Sequence, residues 1–117
     1  MDDRMAFKRG DVVMMARASG AYLEKPRPVV IVQCNDCLEL RESVTVCLFT
    51  KSAEGDVEFR PLVKKTAANG LKFDSVVEVD KVATLYRENI AGKPKGRLTS
   101  ADMKNISSAL AFWLGIP

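Results

Sequence analysis

Apolar residues alternate or cluster in short runs over most of the chain, and a helical period takes over only near its end. Val12-Val13-Met14-Met15-Ala16 follows the turn-like Arg9-Gly10-Asp11 and predicts a first strand. Val29-Val30-Ile31-Val32 is apolar at every position, which predicts a central strand buried on both faces. Ser43 to Phe49 reads as a third strand. Glu58 to Val63 is a weaker one, which Pro61 assigns to an edge or a bulge. Asn69-Gly70 marks a turn before a strand at Ser75 to Val79, with another short strand at Val82 to Tyr86. Gly92-Lys93-Pro94-Lys95-Gly96-Arg97 is polar and basic and reads as a loop. Thr99-Ser100-Ala101-Asp102 then resembles a capping box with Thr99 as N-cap, and Met103, Ile106, Leu110 and Trp113 trace one face of a terminal helix. The pattern is mainly β with α, an α+β chain of strands closed by one helix.

The chain has 117 residues, enough for one domain and one core. No apolar run approaches the ~18–20 residues that span a bilayer, and the charged N-terminal segment is unlike a secretory leader. Three cysteines without a leader argue for a reducing compartment, so the expected location is cytoplasmic. Eighteen Lys and Arg against fifteen Asp and Glu give a net charge of +3, which permits an anionic partner without requiring one. Histidine is absent. Its absence removes the commonest general base, the commonest metal ligand and every Ser–His or Cys–His pair.

Cys34-Asn-Asp-Cys37 has C-x-x-C spacing, but only Cys47 is left to join it, too few ligands for zinc. A thioredoxin-like role wants the motif at a strand-to-helix turn, whereas here the strand is expected to run into a polar loop. The thiols are therefore read as structural or incidental.

An antiparallel hairpin about the polar loop from Asn35 to Glu42 brings two polar residues together. Symmetric pairing sets Val29 against Leu48, Ile31 against Val46 and Gln33 against Val44. Extended outward, the same ladder sets Arg27 against Thr50. Directly opposed residues share a face, with Cβ atoms ~4.5–5.5 Å apart. An arginine fork matches a phosphate with two hydrogen bonds, and a hydroxyl can reach a third oxygen.

These segments resemble the MazF/PemK (Kid-like) family of toxin endoribonucleases. An opening R-G-[DE]-[VI] is matched by Arg9-Gly10-Asp11-Val12, and R-P-V-[LV]-[VI]-[VI] by Arg27 to Val32. A strand ending in threonine is matched by Phe49-Thr50-Lys51-Ser52. S-V-V-x-x-[DE]-x-[VIP]-x-T-[IL] is matched by Ser75 through Asp80 to Thr84-Leu85, and G-x-L-[ST] by Gly96-Arg97-Leu98-Thr99. The loop before the arginine departs from the common G-x-E-Q-x-G, and Ala83 stands where a second arginine is often found.

The resemblance implies a small SH3-like, CcdB-type antiparallel barrel with a C-terminal helix. It implies a homodimer that cleaves single-stranded RNA at short motifs without a metal or other cofactor. Arg27 and Thr50 take the family's active-site positions. The family's aspartate base falls on Asp80 and its opening acidic residue on Asp11. In metal-independent cleavage the 2′-hydroxyl attacks its own phosphate, leaving a 2′,3′-cyclic phosphate. That reaction needs a base, charge stabilisation and a proton for the leaving oxygen. Without histidine the base candidates are carboxylates, Asp80 before Asp11, while Arg27 suits charge stabilisation and Thr50 phosphate orientation. Lys25, Lys51, Lys93, Lys95 and Arg97 are candidates to guide the RNA backbone, and Tyr22 to stack on a base. The expected protein partner is an antitoxin with an acidic, flexible segment that covers the Arg27/Thr50 end. Two alternatives stay open: a CcdB-like gyrase poison acting through helix residues near Trp113, and a catalytically inactive family member.

Overall fold

The strand-forming segments assemble into one antiparallel sheet in a computed structural model, which describes residues 7–16, 26–51 and 59–117 in full and residues 18–19 and 22–23 by their backbone. In chain order the elements are β1 (Asp11–Met15), β2 (Ala18–Ser19), β3 (Tyr22–Leu23), β4 (Arg27–Ile31), α1 (Asn35–Leu38), β5 (Ser43–Lys51), β6 (Leu62–Val63), β7 (Ser75–Tyr86), β8 (Ile90–Arg97) and α2 (Ser100–Leu114). The main sheet has six strands in the order β6-β7-β5-β4-β1-β8, while β2 and β3 form a separate two-residue ribbon. It curls into a half-barrel. Curling brings its ends together: Arg97 N at the end of β8 donates to Ala68 O in the turn after β6 at 3.0 Å.

Both faces of the sheet are apolar, as the unbroken run at Val29 to Val32 requires. On one face Val12, Val30, Cys47, Phe49, Val77 and Val79 pack against Met103, Ile106 and Ala109 of α2. On the other, Val13, Val29, Ile31, Val44, Val46 and Leu85 gather with Leu38 of α1. The expected N-cap is present, with Thr99 Oγ1 accepting from Asp102 N at 3.0 Å. The helix ends at Gly115, whose φ of 71° suits a left-handed C-cap. Trp113 departs from the expected buried stripe. It is 47% exposed, with its ring tilted against Phe59 at 5.1 Å between centroids.

The hairpin register is the expected one: Val29 faces Leu48 and Ile31 faces Val46. At the loop end the ladder stops short of Val44, because the Gln33 side chain turns to accept from Thr45 N at 2.8 Å. Three other segments differ from expectation. The polar loop holds one helical turn, α1, tied to the body by Arg87 donating to Leu38 O and Arg9 N donating to Asn35 Oδ1. Ser75 to Val79 and Val82 to Tyr86 are one strand, because β5 runs long enough to pair with both. Gly92 to Arg97 belongs to β8: its ends pair with β1, and the register jumps between Val12↔Gly96 and Met14↔Ala91. Gly92, at φ 73°, absorbs that irregularity, which a polar and proline-bearing sequence disguises as a loop. Lys25, Ser52 and Glu58 lie outside the described residues.

Asn69 organises the approach of the turn to β8. Its side chain accepts from Thr66 N and Leu71 N and donates to Lys64 O. A methyl group on Gly96 would strike Ala68 O and the Asn69 backbone. Gly96→Ala should therefore lower unfolding free energy by about 1–3 kcal/mol. Urea unfolding of the two proteins side by side measures the loss.

Candidate active site

Thr50 lies near the end of β5, two residues beyond Leu48 and therefore on the face of Leu48, Val46 and Val44. Arg27 opens β4, exposed, on the same face as Val29 and Ile31. The rungs of this ladder run from Ile31↔Val46 to Val29↔Leu48, and Arg27 lies two residues beyond Val29 on the same face, as Thr50 lies two residues beyond Leu48. Pro28 and Pro26 flank it, and neither has an N–H to offer a neighbouring strand.

β7 supplies the rest. Its register against β5 jumps between Cys47↔Val82 and Leu48↔Glu78, leaving Val79, Asp80 and Lys81 as a bulge. Bulges re-aim side chains, and this one gathers charge. Glu78 is 6% exposed, and the Thr50 hydroxyl donates to its Oε1 at 2.5 Å. Lys81 Nζ lies 3.3 Å from Glu78 Oε2. Arg60, from the bridge before β6, grips Asp80 with two hydrogen bonds, Nε to Oδ1 at 2.9 Å and Nη2 to Oδ2 at 2.6 Å. The same Nη2 is 3.6 Å from Glu78 Oε2. The Arg60 fork, chiefly by hydrogen bonding, holds the Asp80 carboxyl below its ordinary pKa.

Asp11 is placed elsewhere. It is 3% exposed, accepts from Lys8 N at 2.9 Å and from Arg97 Nε at 3.0 Å, and stands opposite Arg97 in the β1–β8 ladder. Along β4 its level is that of Ile31, four residues from Arg27, or roughly 13 Å at ~3.3 Å per residue. Asp11 and Arg97 thus form their own pair, away from Thr50. Lys51 points to the opposite face, with Nζ 4.3 Å from the Phe73 ring centroid. Phe73 in turn lines a groove of about 520 Å³ with Met14, Pro28, Lys72 and Lys95. Lys93 and Lys95 are exposed on β8. The side chains of Tyr22 and Lys25 lie outside what the structure describes.

Sequence reasoning missed Glu78 and Arg60. The alternation of Ser75 to Val79 carried the signal for Glu78. Val77 and Val79 face the helix, so Glu78 must face the other way, beside Thr50 across the strand pair. Arg60 gave no comparable signal, since the strand around it is only two residues long.

Cys34 caps α1, so the C-x-x-C does stand at a strand-to-helix turn, contrary to expectation. Hydrogen bonding from Cys37 lowers the Cys34 thiol pKa and raises that of Cys37. Cys47 is buried, which pushes its thiol up to about 12. Among the described residues no three His, Cys, Asp or Glu side chains converge as a metal site would require.

A curled antiparallel sheet with a C-terminal helix and a mixed-charge cluster at the β7 bulge defines a small half-barrel protein. Comparison with known proteins gives that class its family. Residues 8–114 match the PemK-like, MazF-like toxins of type II toxin–antitoxin systems. A probable endoribonuclease MazF from Mycolicibacterium smegmatis is 40% identical over 109 residues, 93% of this chain and 97% of the relative. An endoribonuclease from a mycobacterial species, solved in complex with its cognate antitoxin, superposes with a TM-score of 0.76 at 24% identity, covering 96% of this chain and 98% of that one. MazF from Deinococcus radiodurans, in a MazE–MazF crystal structure, gives a TM-score of 0.75 at 16% identity over 96% and 99% of the two chains. The chain belongs to the PemK-like, MazF-like toxin family.

The Asp80–Arg60 pair makes a pH prediction. A carboxylate whose pKa is lowered in the fold favours folding above its unfolded value, about 3.9 for Asp, and that contribution disappears as pH falls through the lower folded value. Wild type should therefore exceed Asp80→Asn in stability at pH 7 and lose that advantage progressively as pH falls below about 3.9. Guanidinium unfolding of both proteins across that range checks the sign.

Proposed function

We propose that this protein is the toxin of a type II pair, an endoribonuclease that cleaves single-stranded RNA by attack of the 2′-hydroxyl on the adjacent phosphate. The observation that carries the reading is 40% identity to a probable endoribonuclease over 93% of the chain, and it is supported by the positions of Arg27 and Thr50, each two residues beyond the Val29↔Leu48 rung on one face of the sheet. Arg27 offers two parallel donors to the phosphorane oxygens, and a guanidinium stays charged throughout the reaction. Thr50 lies toward the same end of the sheet, near the end of β5. Of the carboxylates expected as base, Asp80 belongs to this cluster and Asp11 does not. Lys51, Lys72 and Lys95 surround the groove on the other face at the same strand end, where flanking phosphates can be guided. Lys93 lies on the same strand, and Arg97 contributes beside Asp11.

The protein works as a cytoplasmic homodimer. Three free thiols suit that compartment, and among the described residues no helix is long and apolar enough to cross a membrane. Phe112, Trp113, Leu114 and Ile116 are exposed at one end of α2, apolar surface that a second copy can cover. The partner is an antitoxin whose acidic segment competes with RNA for the Arg27 end.

Mapping cut sites and end groups on a mixed-sequence RNA tests the reading. The expected products carry 2′,3′-cyclic phosphate and 5′-hydroxyl ends, and they form equally well in EDTA. Arg27→Ala should lose ~10²–10³ in rate, the scale of one preorganised donor to developing charge. Arg27→Lys should recover little, since a point charge cannot replace the fork. Near-normal cleavage by Arg27→Ala would remove Arg27 from the site.

A further inference from the structure

We propose that Glu78 is the proton acceptor of this active site and that it works through the Thr50 hydroxyl, the two forming a relay. The proposal rests on the endoribonuclease reading and deepens it.

Direction of donation decides the chemistry. A carboxylate can only accept, so in the 2.5 Å contact between Thr50 Oγ1 and Glu78 Oε1 the hydroxyl is the donor. That length belongs to charge-assisted O–H···O⁻ bonds. With its proton committed inward, Thr50 presents lone pairs outward. It therefore meets the substrate as an acceptor, and the group in RNA that needs an acceptor is the 2′-hydroxyl. Phosphate oxygens need donors, which Arg27 supplies.

Asp80 is less suited to the role. Both of its oxygens are held by the Arg60 fork at 2.9 and 2.6 Å, so taking up a proton would break that pair. Glu78 is held more loosely, with Arg60 at 3.6 Å and Lys81 at 3.3 Å, both on Oε2. Its other oxygen is the one turned to Thr50. The charged groups against Glu78 are Arg60 from before β6 and Lys81 from β7, with Asp80 paired to the same Arg60, and with Arg27 on β4 beyond the intervening β5.

The step balances. The 2′-oxygen gives its proton to Thr50 Oγ1 as the Thr50 proton passes to Glu78 Oε1, so no threonine alkoxide forms. The 2′-oxygen bonds to phosphorus and the bond from phosphorus to the 5′-oxygen breaks. That oxygen takes a proton from water. Glu78 then returns its proton, through Thr50, to the hydroxide so formed. Glu78 acts through Thr50 and is a positioning and relay residue, while Thr50 touches the substrate.

Steady-state cleavage of an RNA oligonucleotide from pH 4 to 9 tests the relay in wild type, Glu78→Gln, Thr50→Val, Thr50→Ser, Asp80→Asn and the Glu78→Gln/Thr50→Val double variant. Glu78→Gln keeps an oxygen that can accept from Thr50 but cannot take a proton. It should lower kcat by ~10²–10⁴ with little change in KM, and the acid limb of the pH profile should disappear. Thr50→Val should do the same, Thr50→Ser should restore activity and the limb, and Asp80→Asn should keep the limb. Two residues in series should also make the double variant no worse than the poorer single one. If Glu78→Gln fails to fold, by circular dichroism, the Thr50→Val and Thr50→Ser profiles decide. An acid limb that survives in Glu78→Gln or in Thr50→Val, or one that vanishes in Asp80→Asn, overturns the relay while leaving the nuclease reading intact. A wild-type protein that cuts no RNA overturns both.

Discussion

The pairing of β5 with β7 is the constraint on which both core and site depend. β5 is nine residues long and β7 twelve, and the difference is taken up where the register jumps at Cys47 and Leu48. On the loop side of the jump, Val44 and Val46 meet Leu85 and Ala83 and complete one apolar face. On the other side, Phe49, Val77 and Val79 turn toward α2. Sheets with two buried faces have no room for polar chemistry at mid-strand, where an unpaired charge costs several kcal/mol. Function is confined to strand ends and bulges. In this chain the β7 bulge opens beside Leu48, three residues before β5 ends at Lys51, and so brings Glu78 within hydrogen-bond reach of Thr50.

That arrangement explains which parts of the molecule were legible in sequence. Val29 to Ile31 could only be a two-sided strand, and from it the hairpin register followed as far as Ile31↔Val46. Thr99 and Asp102 fixed the start of α2 by local chemistry. Neither inference needed a distant partner. The β7 bulge does: nothing within Ser75 to Tyr86 says that three residues will be skipped, since the cause is the length of the strand opposite. Arg60 was hidden for the same reason, being placed by a bridge to β7 in a segment with no pattern of its own. The basic stretch of β8 was read as a loop because lysine, proline and glycine are poor strand formers. Pairing with β1 at both ends overrides that preference.

Asp11 shows how a motif position and a functional position can separate. A short carboxylate after Arg9-Gly10 is what a turn into a strand wants, because it can accept from the N–H three residues earlier, as Asp11 does from Lys8. Its second oxygen meets Arg97 across the β1–β8 ladder, closing the sheet near the start of α2. Burial at 3% with both oxygens occupied is the signature of a carboxylate that holds structure together.

A site that must bind a polyanion and also hold a proton acceptor faces opposed electrostatic demands. Carboxylates repel the phosphate, and cations beside a base weaken it. The cluster at the end of β5 and β7 meets both demands by pairing unequally. Arg60 is spent mainly on Asp80, at 2.6 Å, so the pair presents little net field to an approaching strand. Glu78 is 6% exposed, with Oε1 taken up by the Thr50 hydroxyl. Arg27 remains exposed at the rim with no carboxylate at its own register position, and Lys81 adds a second exposed cation. Cations therefore outnumber carboxylates across the set of Arg27, Arg60, Lys81, Glu78 and Asp80, and the negative members are the deeper ones. In the relay proposed above, a phosphodiester would meet positive charge first and find the acceptor only once seated. In that proposal, depth would do for a chain without histidine what a mid-range pKa does elsewhere: keep the acceptor apart from the charge that draws the substrate in.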